Sequence, residues 1–207
     1  MQLLNYGFID GQNLYLALQE IDFKLDYKKF RIYLKEKYSV EKAYMFMGFL
    51  PANQELYNFL QTVGFIIIFK PILENDKGVI KGNCDAELVL QAMIDFKNYK
   101  KAIIVSGDGD FYCLVKYLDG QGKLLKVLAP SVKNCSSLLR KIAGKKISFV
   151  ADLQKKLTYT RRMQLSAVRG KTEKRSEAYI RYAERAPQVL TKKYANRIRR
   201  NKKKRTP

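Results

Sequence analysis

Short apolar runs alternate with amphipathic stretches through residues 1–150, the pattern of a mostly parallel sheet flanked by helices. Tyr6–Ile9 reads as a first strand, with a helix around Leu14–Glu20 after it. Tyr27, Phe30, Tyr33 and Leu34 recur at helical spacing and predict a helix over Tyr27–Tyr38. Ala43–Phe49 is the next strand, and Pro51 opens a helix through Leu60, since proline is tolerated at a first helical position. Gly64 ends that helix before a β-rich run, Phe65–Phe69, and the polar, glycine-bearing Ile72–Gly82 reads as a loop or short hairpin. Helices over Asp85–Phe96, Phe111–Leu118 and Cys135–Ala143 are then interleaved with strands at Ala102–Val105 and Leu124–Leu128, and Ile147–Val150 reads as a last strand.

This alternation predicts an α/β fold, a doubly wound, Rossmann-like three-layer α/β/α domain. The pattern weakens beyond Leu157, so residues 1–157 are expected to form the domain and 158–207 a basic tail. Within the tail, Arg161–Gly170 and Ser176–Arg185 have helical potential, whereas the strongly basic Asn196–Pro207 is expected to lack structure without a partner. The sequence contains no internal repeat.

Charge sharpens this division. The chain carries 40 Lys and Arg against 19 Asp and Glu, a net charge of +21. Residues 1–150 hold 21 basic and 15 acidic side chains, whereas 151–207 hold 19 and 4. A polycationic tail attracts polyanions, with nucleic acid the leading expectation. An anionic membrane surface is the competing partner, but the tail has few adjacent large apolar residues to insert. RNA and DNA are not separated by composition.

Three cysteines, Cys84, Cys113 and Cys135, lack CxxC spacing, which argues against a disulfide framework or a zinc site and favours a reducing cytoplasm. The first residues lack a basic leader region, and the apolar runs are too short to span a bilayer, so a cytoplasmic protein is expected. The chain has no histidine. Ser-His-Asp and Cys-His catalysis, imidazole-based RNA cleavage and His-ligated zinc are therefore excluded.

Four aspartates recur just after a strand or at the start of a helix. Asp10 ends the first strand in Phe8-Ile9-Asp10-Gly11-Gln12-Asn13, and Asp108 and Asp110 follow the Ala102–Val105 strand in Ser106-Gly107-Asp108-Gly109-Asp110-Phe111. Asp85 begins a helix after Lys81-Gly82-Asn83-Cys84. Open parallel sheets bind ligands beyond the carboxyl ends of their strands, where the strand order reverses. Carboxylates crowded there repel one another, and a hard divalent cation such as Mg²⁺ relieves that conflict. Each aspartate alone also suits a helix N-cap. The stretch Ser106–Asp110 equally fits a phosphate-cradling loop, which makes Ser106 a substrate-contact candidate, but it is neither a GxxxxGK[ST] nor a GxGxxG motif. Asn13 either caps the first helix or meets substrate, and Lys81 is either a phosphate-contacting cation or an ordinary loop lysine. Glu87 and Asp95 read as solvent-facing helix residues outside the site.

The segments Phe8–Asn13, Lys81-Gly82 through Asp85-Ala86-Glu87-Leu88, and Val105–Phe111 together resemble the NYN domain of the PIN-like nuclease superfamily, which includes the LabA-like bacterial proteins. The resemblance covers about residues 3–150 and leaves the basic tail outside. It implies a three-layer fold and an endoribonuclease that depends on Mg²⁺ or Mn²⁺ and leaves a 5′-phosphate. Carried over, Asp10, Asp85, Asp108 and Asp110 form the catalytic and metal-binding set, with Asn13 as polar partner. Many relatives carry a further aspartate where this chain has Gln91, a departure that points to a weaker or one-metal site. One rival reading is an inactive RNA- or ribosome-binding adaptor on the same fold. Another, a phosphatase, is disfavoured because no DxDx[TV] signature follows Ile9.

Overall fold

In the computed structural model the chain is described over residues 4–70, 73–74, 80–81 and 84–159. The expected tail elements at Arg161–Gly170, Ser176–Arg185 and Asn196–Pro207 lie outside the described residues. The chain enters at strand β1 (Asn5–Asp10) and passes directly into helix α1 (Gly11–Gln19). α1 starts at Gly11 rather than Leu14 because Asp10 caps it, its carboxylate accepting the Asn13 amide at 2.9 Å. Helix α2 (Tyr27–Tyr38) is capped by Asp26 in the same manner and leads into strand β2 (Val40–Gly48). A 3-10 turn at Pro51–Asn53 opens helix α3 (Gln54–Thr62), and strand β3 (Phe65–Lys70) follows.

The glycine-bearing connection forms a minimal antiparallel hairpin, β4 (Leu73–Glu74) with β5 (Ile80–Lys81). Helix α4 (Asp85–Ile94) and strand β6 (Ala102–Val105) come next. A 3-10 turn at Gly109–Phe111 then leads into helix α5 (Tyr112–Gly120). Strand β7 (Leu124–Ala129), helix α6 (Ser137–Ala143), strand β8 (Ile147–Phe149) and helix α7 (Gln154–Leu157) complete the described chain.

Six strands pair in parallel in the order β3-β2-β1-β6-β7-β8. From β1 the chain winds outward through β2 and β3, then returns to β6 and winds outward the other way. The strand order therefore reverses between β1 and β6, which opens a crevice at their carboxyl ends.

Each face of the sheet has its own core. Ile9, Met45 and Ile103 pack with Leu14, Phe30, Leu34, Leu56, Leu60 and Leu157, so α1, α2, α3 and α7 cover one side. Phe8, Phe46, Ile104 and Val127 pack with Leu88, Val115, Leu118 and Leu139, so α4, α5 and α6 cover the other. Burying each such Leu or Phe contributes about 1.5–3 kcal/mol. This is the three-layer α/β/α arrangement that the alternation predicts. Because neighbouring strand residues face opposite ways, Asp10 shares the face of Phe8, the side covered by α4 and α5.

The segment after β8 belongs to the packed structure. The Asp26 amide donates to the Leu157 carbonyl at 2.8 Å, the Tyr159 amide donates to the Lys24 carbonyl at 2.9 Å, and the Leu157 side chain is fully buried. Among the described residues no helix is long and apolar enough to cross a membrane.

Candidate functional site

Three aspartates meet where the strand order reverses. Carboxylate oxygens of Asp85, at the start of α4, and of Asp108 and Asp110, after β6, all lie within 4.8 Å of one another. Asp85 and Asp108 are partly buried and Asp110 is exposed, so the cluster opens to solvent on the Asp110 side. Asp10, at the end of β1, adjoins this trio and feels the charges of Asp85 and Asp108.

The electrostatics of Asp10 report how crowded the site is. Burial pushes its carboxyl up from 3.8 to about 7, and the charges of Asp85 and Asp108 add to the rise. Hydrogen bonds from the Asn13 amide and the Ser106 hydroxyl work against it. A hard cation suits this set: the donors are all carboxylate oxygens, and positive charge offsets the repulsion that raises Asp10. Cys84 beside the cluster is not a competing thiolate, because burial, reinforced by Glu87, Asp10 and Asp85, pushes its thiol up to about 12.

Capping leaves Asp10 with acceptor capacity to spare. Its Oδ1 accepts the Asn13 amide at 2.9 Å and its Oδ2 accepts the Ser106 hydroxyl at 3.3 Å. A carboxylate offers about four lone-pair positions, so these two bonds hold Asp10 without saturating it. Asp108 likewise caps the 3-10 turn, accepting the Asp110 amide at 3.1 Å.

Two expected substrate contacts take a different place. Ser106 is fully buried, donating to Asp10 and accepting the Asp108 amide at 3.1 Å. A hydroxyl with no exposed surface positions the aspartates and cannot reach substrate. Asn13 is also buried, and its Oδ1 accepts the Gly107 amide at 2.9 Å, which ties the start of α1 to the loop after β6. By its backbone Lys81 belongs to β5, and its side chain lies outside the described residues.

Two further expectations are corrected. Asp95, expected to face solvent, is 6 % exposed at the end of α4. It accepts from Gln91 Nε2 at 2.8 Å, from Asn98 Nδ2 at 3.0 Å and from the Tyr44 hydroxyl. Burial pushes its carboxyl up, but these bonds outweigh that and hold it below the usual value. Gln91 therefore directs its amide at Asp95. Glu87 is half-buried and pairs with Lys70 at 3.0 Å rather than projecting into water.

The loop at 130–136 supports the site from below, a role that no local signal in the sequence marks. The Ser136 amide donates to the Gly107 carbonyl at 2.9 Å, and Asn134 Nδ2 donates to Glu20 Oε2 at 2.8 Å. Glycines at 107 and 109 allow this approach. A Cβ on Gly107 would sit 1.9 Å from the Asn134 carbonyl oxygen, and one on Gly109 would sit 2.6 Å from the Ser136 hydroxyl.

The comparisons agree with this architecture. No curated protein matches the chain. A crystal structure of a protein of unknown function from Vibrio parahaemolyticus is similar, with 25 % identity and a TM-score of 0.63, over 77 % of this chain and 100 % of that one. The NYN domain model matches residues 7–150, from β1 through β8 and thus across all four aspartates. With more than half its length matched, and with an aspartate cluster at the reversal of strand order, the chain belongs to the NYN domain family of the PIN-like nuclease superfamily.

Proposed function

We propose that the protein is a divalent-metal-dependent endoribonuclease that hydrolyses RNA phosphodiester bonds, acting in the cytoplasm. The observation that carries this reading is the convergence of Asp85, Asp108 and Asp110 within 4.8 Å, beside an Asp10 raised to about 7. Asp10, Asp85, Asp108 and Asp110 would hold Mg²⁺ or Mn²⁺. When bound, such an ion lowers the pKa of water and neutralises charge on a phosphoryl oxygen.

The chain's own contribution is placement. Ser106 and the Asn13 amide fix Asp10, while the turn at Gly109–Phe111 fixes Asp108 against Asp110. With no histidine in the chain, a carboxylate of this cluster would be the side chain that accepts the proton. Residues 158–207, with 17 basic and 3 acidic side chains, would recruit RNA through its phosphates with little base preference.

Incubation of the full chain with end-labelled single-stranded RNA, with and without Mn²⁺, tests the reaction. Mn²⁺-dependent internal cleavage with 5′-phosphate products is the expected result. RNA binding without cleavage at any Mn²⁺ concentration would make the protein an adaptor, and preferential turnover of small phosphomonoesters would make it a phosphatase.

A further inference from the structure

Helix α4 is uncharged nearly all the way round, since Leu88 through Ile94 includes no charged side chain. Leu88 and Ala92 are fully buried against the sheet. Ala86, Leu90, Met93 and Ile94 recur at helical spacing on the opposite side and are exposed. Among the described residues Leu90, at 60 %, and Ile94, at 62 %, are the most exposed large apolar side chains. Tyr117 of α5, also exposed, lies 5.7 Å from the Phe96 ring and widens the patch beyond the end of α4. Helix α2 shows the ordinary case, with Lys28, Lys35, Glu36 and Lys37 at its exposed positions. A helix apolar on every side belongs where every side is covered, and an exposed face of this kind marks an interaction surface.

Charge at the two ends of the face indicates what covers it. α4 begins with Asp85 and Glu87, beside Asp108 and Asp110. Past its C-terminus come Lys97, Lys100 and Lys101, and Lys97 is exposed. The winding carries on through Asn98, with the Phe96 amide donating to the Met93 carbonyl at 3.2 Å and the Asn98 amide to the Asp95 carbonyl at 2.8 Å. Lys97 thus continues the stripe of Ala86, Leu90 and Met93. An uncharged stripe that is acidic at one end and basic at the other complements itself when a second copy runs antiparallel. A two-fold axis level with Ala92 sets Leu90 against Ile94 and Glu87 against Lys97, each contact occurring twice. The tail is a poorer fit. The described chain ends at Tyr159, bonded to Lys24, and Leu157 just before it packs in the core on the other side of the sheet. Residues 158–207, with 17 basic and 3 acidic side chains, would also be repelled by the basic end of the stripe.

We infer that the outer face of α4 is a dimer interface, on which a second copy of this chain packs its own α4 antiparallel. Burial of Leu90, Met93 and Ile94 from both copies supplies the drive. The Glu87–Lys97 pairs set direction and register, which is what charges at the rim of an interface do. Glu87 already meets Lys70 at 3.0 Å, and its carboxylate has lone pairs for a second cation. None of these side chains belongs to the aspartate cluster, so the dimer stands or falls independently of the ribonuclease reading.

Sedimentation equilibrium of the full chain across the micromolar range should show a reversible dimer. The double variant Leu90→Glu/Ile94→Glu should be monomeric throughout, with unchanged circular dichroism because both positions face solvent. Lys97→Glu alone and Glu87→Lys alone should each weaken self-association about tenfold, since each change sets like charges together twice in the pair. An equimolar mixture of those two single variants should recover wild-type association, because every contact in the mixed pair is again between opposite charges. A wild-type chain that is monomeric across the range would overturn the inference, whatever else covers the face. Undiminished dimer in Leu90→Glu/Ile94→Glu would overturn it as well, by placing the interface elsewhere. Failure of the mixture to associate more tightly than either variant alone would overturn the antiparallel arrangement.

Discussion

The Ser106 hydroxyl donates to Asp10 Oδ2 at 3.3 Å and accepts the Asp108 amide at 3.1 Å, so one fully buried oxygen joins the ends of two neighbouring strands. β1 and β6 diverge in connectivity at this point, and nothing in their backbone pairing beyond Ile9 and Val105 aligns the residues that follow. Ser106 provides that alignment. The spacing of the aspartates is therefore set by a side chain beneath them as well as by the sheet.

Ser106→Ala should lower stability by about 1–3 kcal/mol, because the Asp108 amide loses its acceptor in a partly buried place. For a chain of this size that corresponds to a fall in melting temperature of roughly 2–12 °C. Mn²⁺-dependent cleavage should fall with it, since a bond that restrains Asp10 and opposes the rise in its pKa is gone. Thermal unfolding and cleavage rates on the same preparation check this. A wild-type melting point would show that Ser106 does not carry the alignment.

The raised carboxyl of Asp10 fixes the sign of two pH effects. Its folded value of about 7 exceeds its ordinary 3.8, so the folded state binds the proton more tightly between those values. Without metal, the Asp10 contribution to stability falls as pH rises from about 4 to 7, and its penalty is complete above 7. Asp10→Asn should therefore stabilise the metal-free protein more at pH 8 than at pH 5. Metal binding competes with that same proton, so Mn²⁺ affinity should weaken as pH falls through about 7. Denaturant unfolding at both pH values, and Mn²⁺ titrations across the range, read these out. Equal stabilisation at pH 5 and pH 8 would place Asp10 outside the coupled cluster.

Gly107→Ala should be severe. The added Cβ would lie 1.9 Å from the Asn134 carbonyl oxygen and 2.9 Å from its carbon, both backbone atoms that no rotamer change can move. Displacing the loop at 130–136 breaks the Ser136-to-Gly107 hydrogen bond and disturbs Asn13, which accepts the neighbouring Gly107 amide. A loss of about 1–3 kcal/mol or more is expected in equilibrium unfolding, accompanied by loss of cleavage. A neutral variant would mean that the two loops part readily.

Legibility in the sequence follows the range of the interactions. Element order and the parallel sheet are readable because apolar runs such as Ala102–Val105 face helices on both sides. The four aspartates are readable because strand ends and helix starts carry local signals, although those signals cannot separate a cap from a ligand. Asp10 shows why: it caps α1 and adjoins the cluster at once. The depth of Ser106 is not readable, since it arises where β6 pairs with β1 and the loop at 130–136 closes beneath. The hydrogen bond that Asp95 accepts from Tyr44 comes from a distant strand, which no helical periodicity reports.

Gln91→Asp tests whether the position at which the family resemblance implies an aspartate belongs to this chain's site. Here the Gln91 amide donates to Asp95 at 2.8 Å, so the substitution removes a donor and sets a second carboxylate against a buried one. A stability loss of about 1–3 kcal/mol with no gain in Mn²⁺ affinity is expected. Tighter Mn²⁺ binding by calorimetry would extend the site along α4 to residue 91.

The central claim, that the aspartate cluster performs metal-dependent RNA cleavage, is tested most directly by Asp108→Asn at saturating Mn²⁺, with cleavage rate and RNA affinity measured on the same protein. The substitution keeps an oxygen to accept the Asp110 amide, so the cap at Gly109–Phe111 and the fold should survive. It removes one of the three charges gathered within 4.8 Å. Cleavage should fall by at least about a hundredfold, while RNA affinity stays level or tightens because a negative charge facing the phosphates has gone. Full cleavage activity in Asp108→Asn would contradict the account.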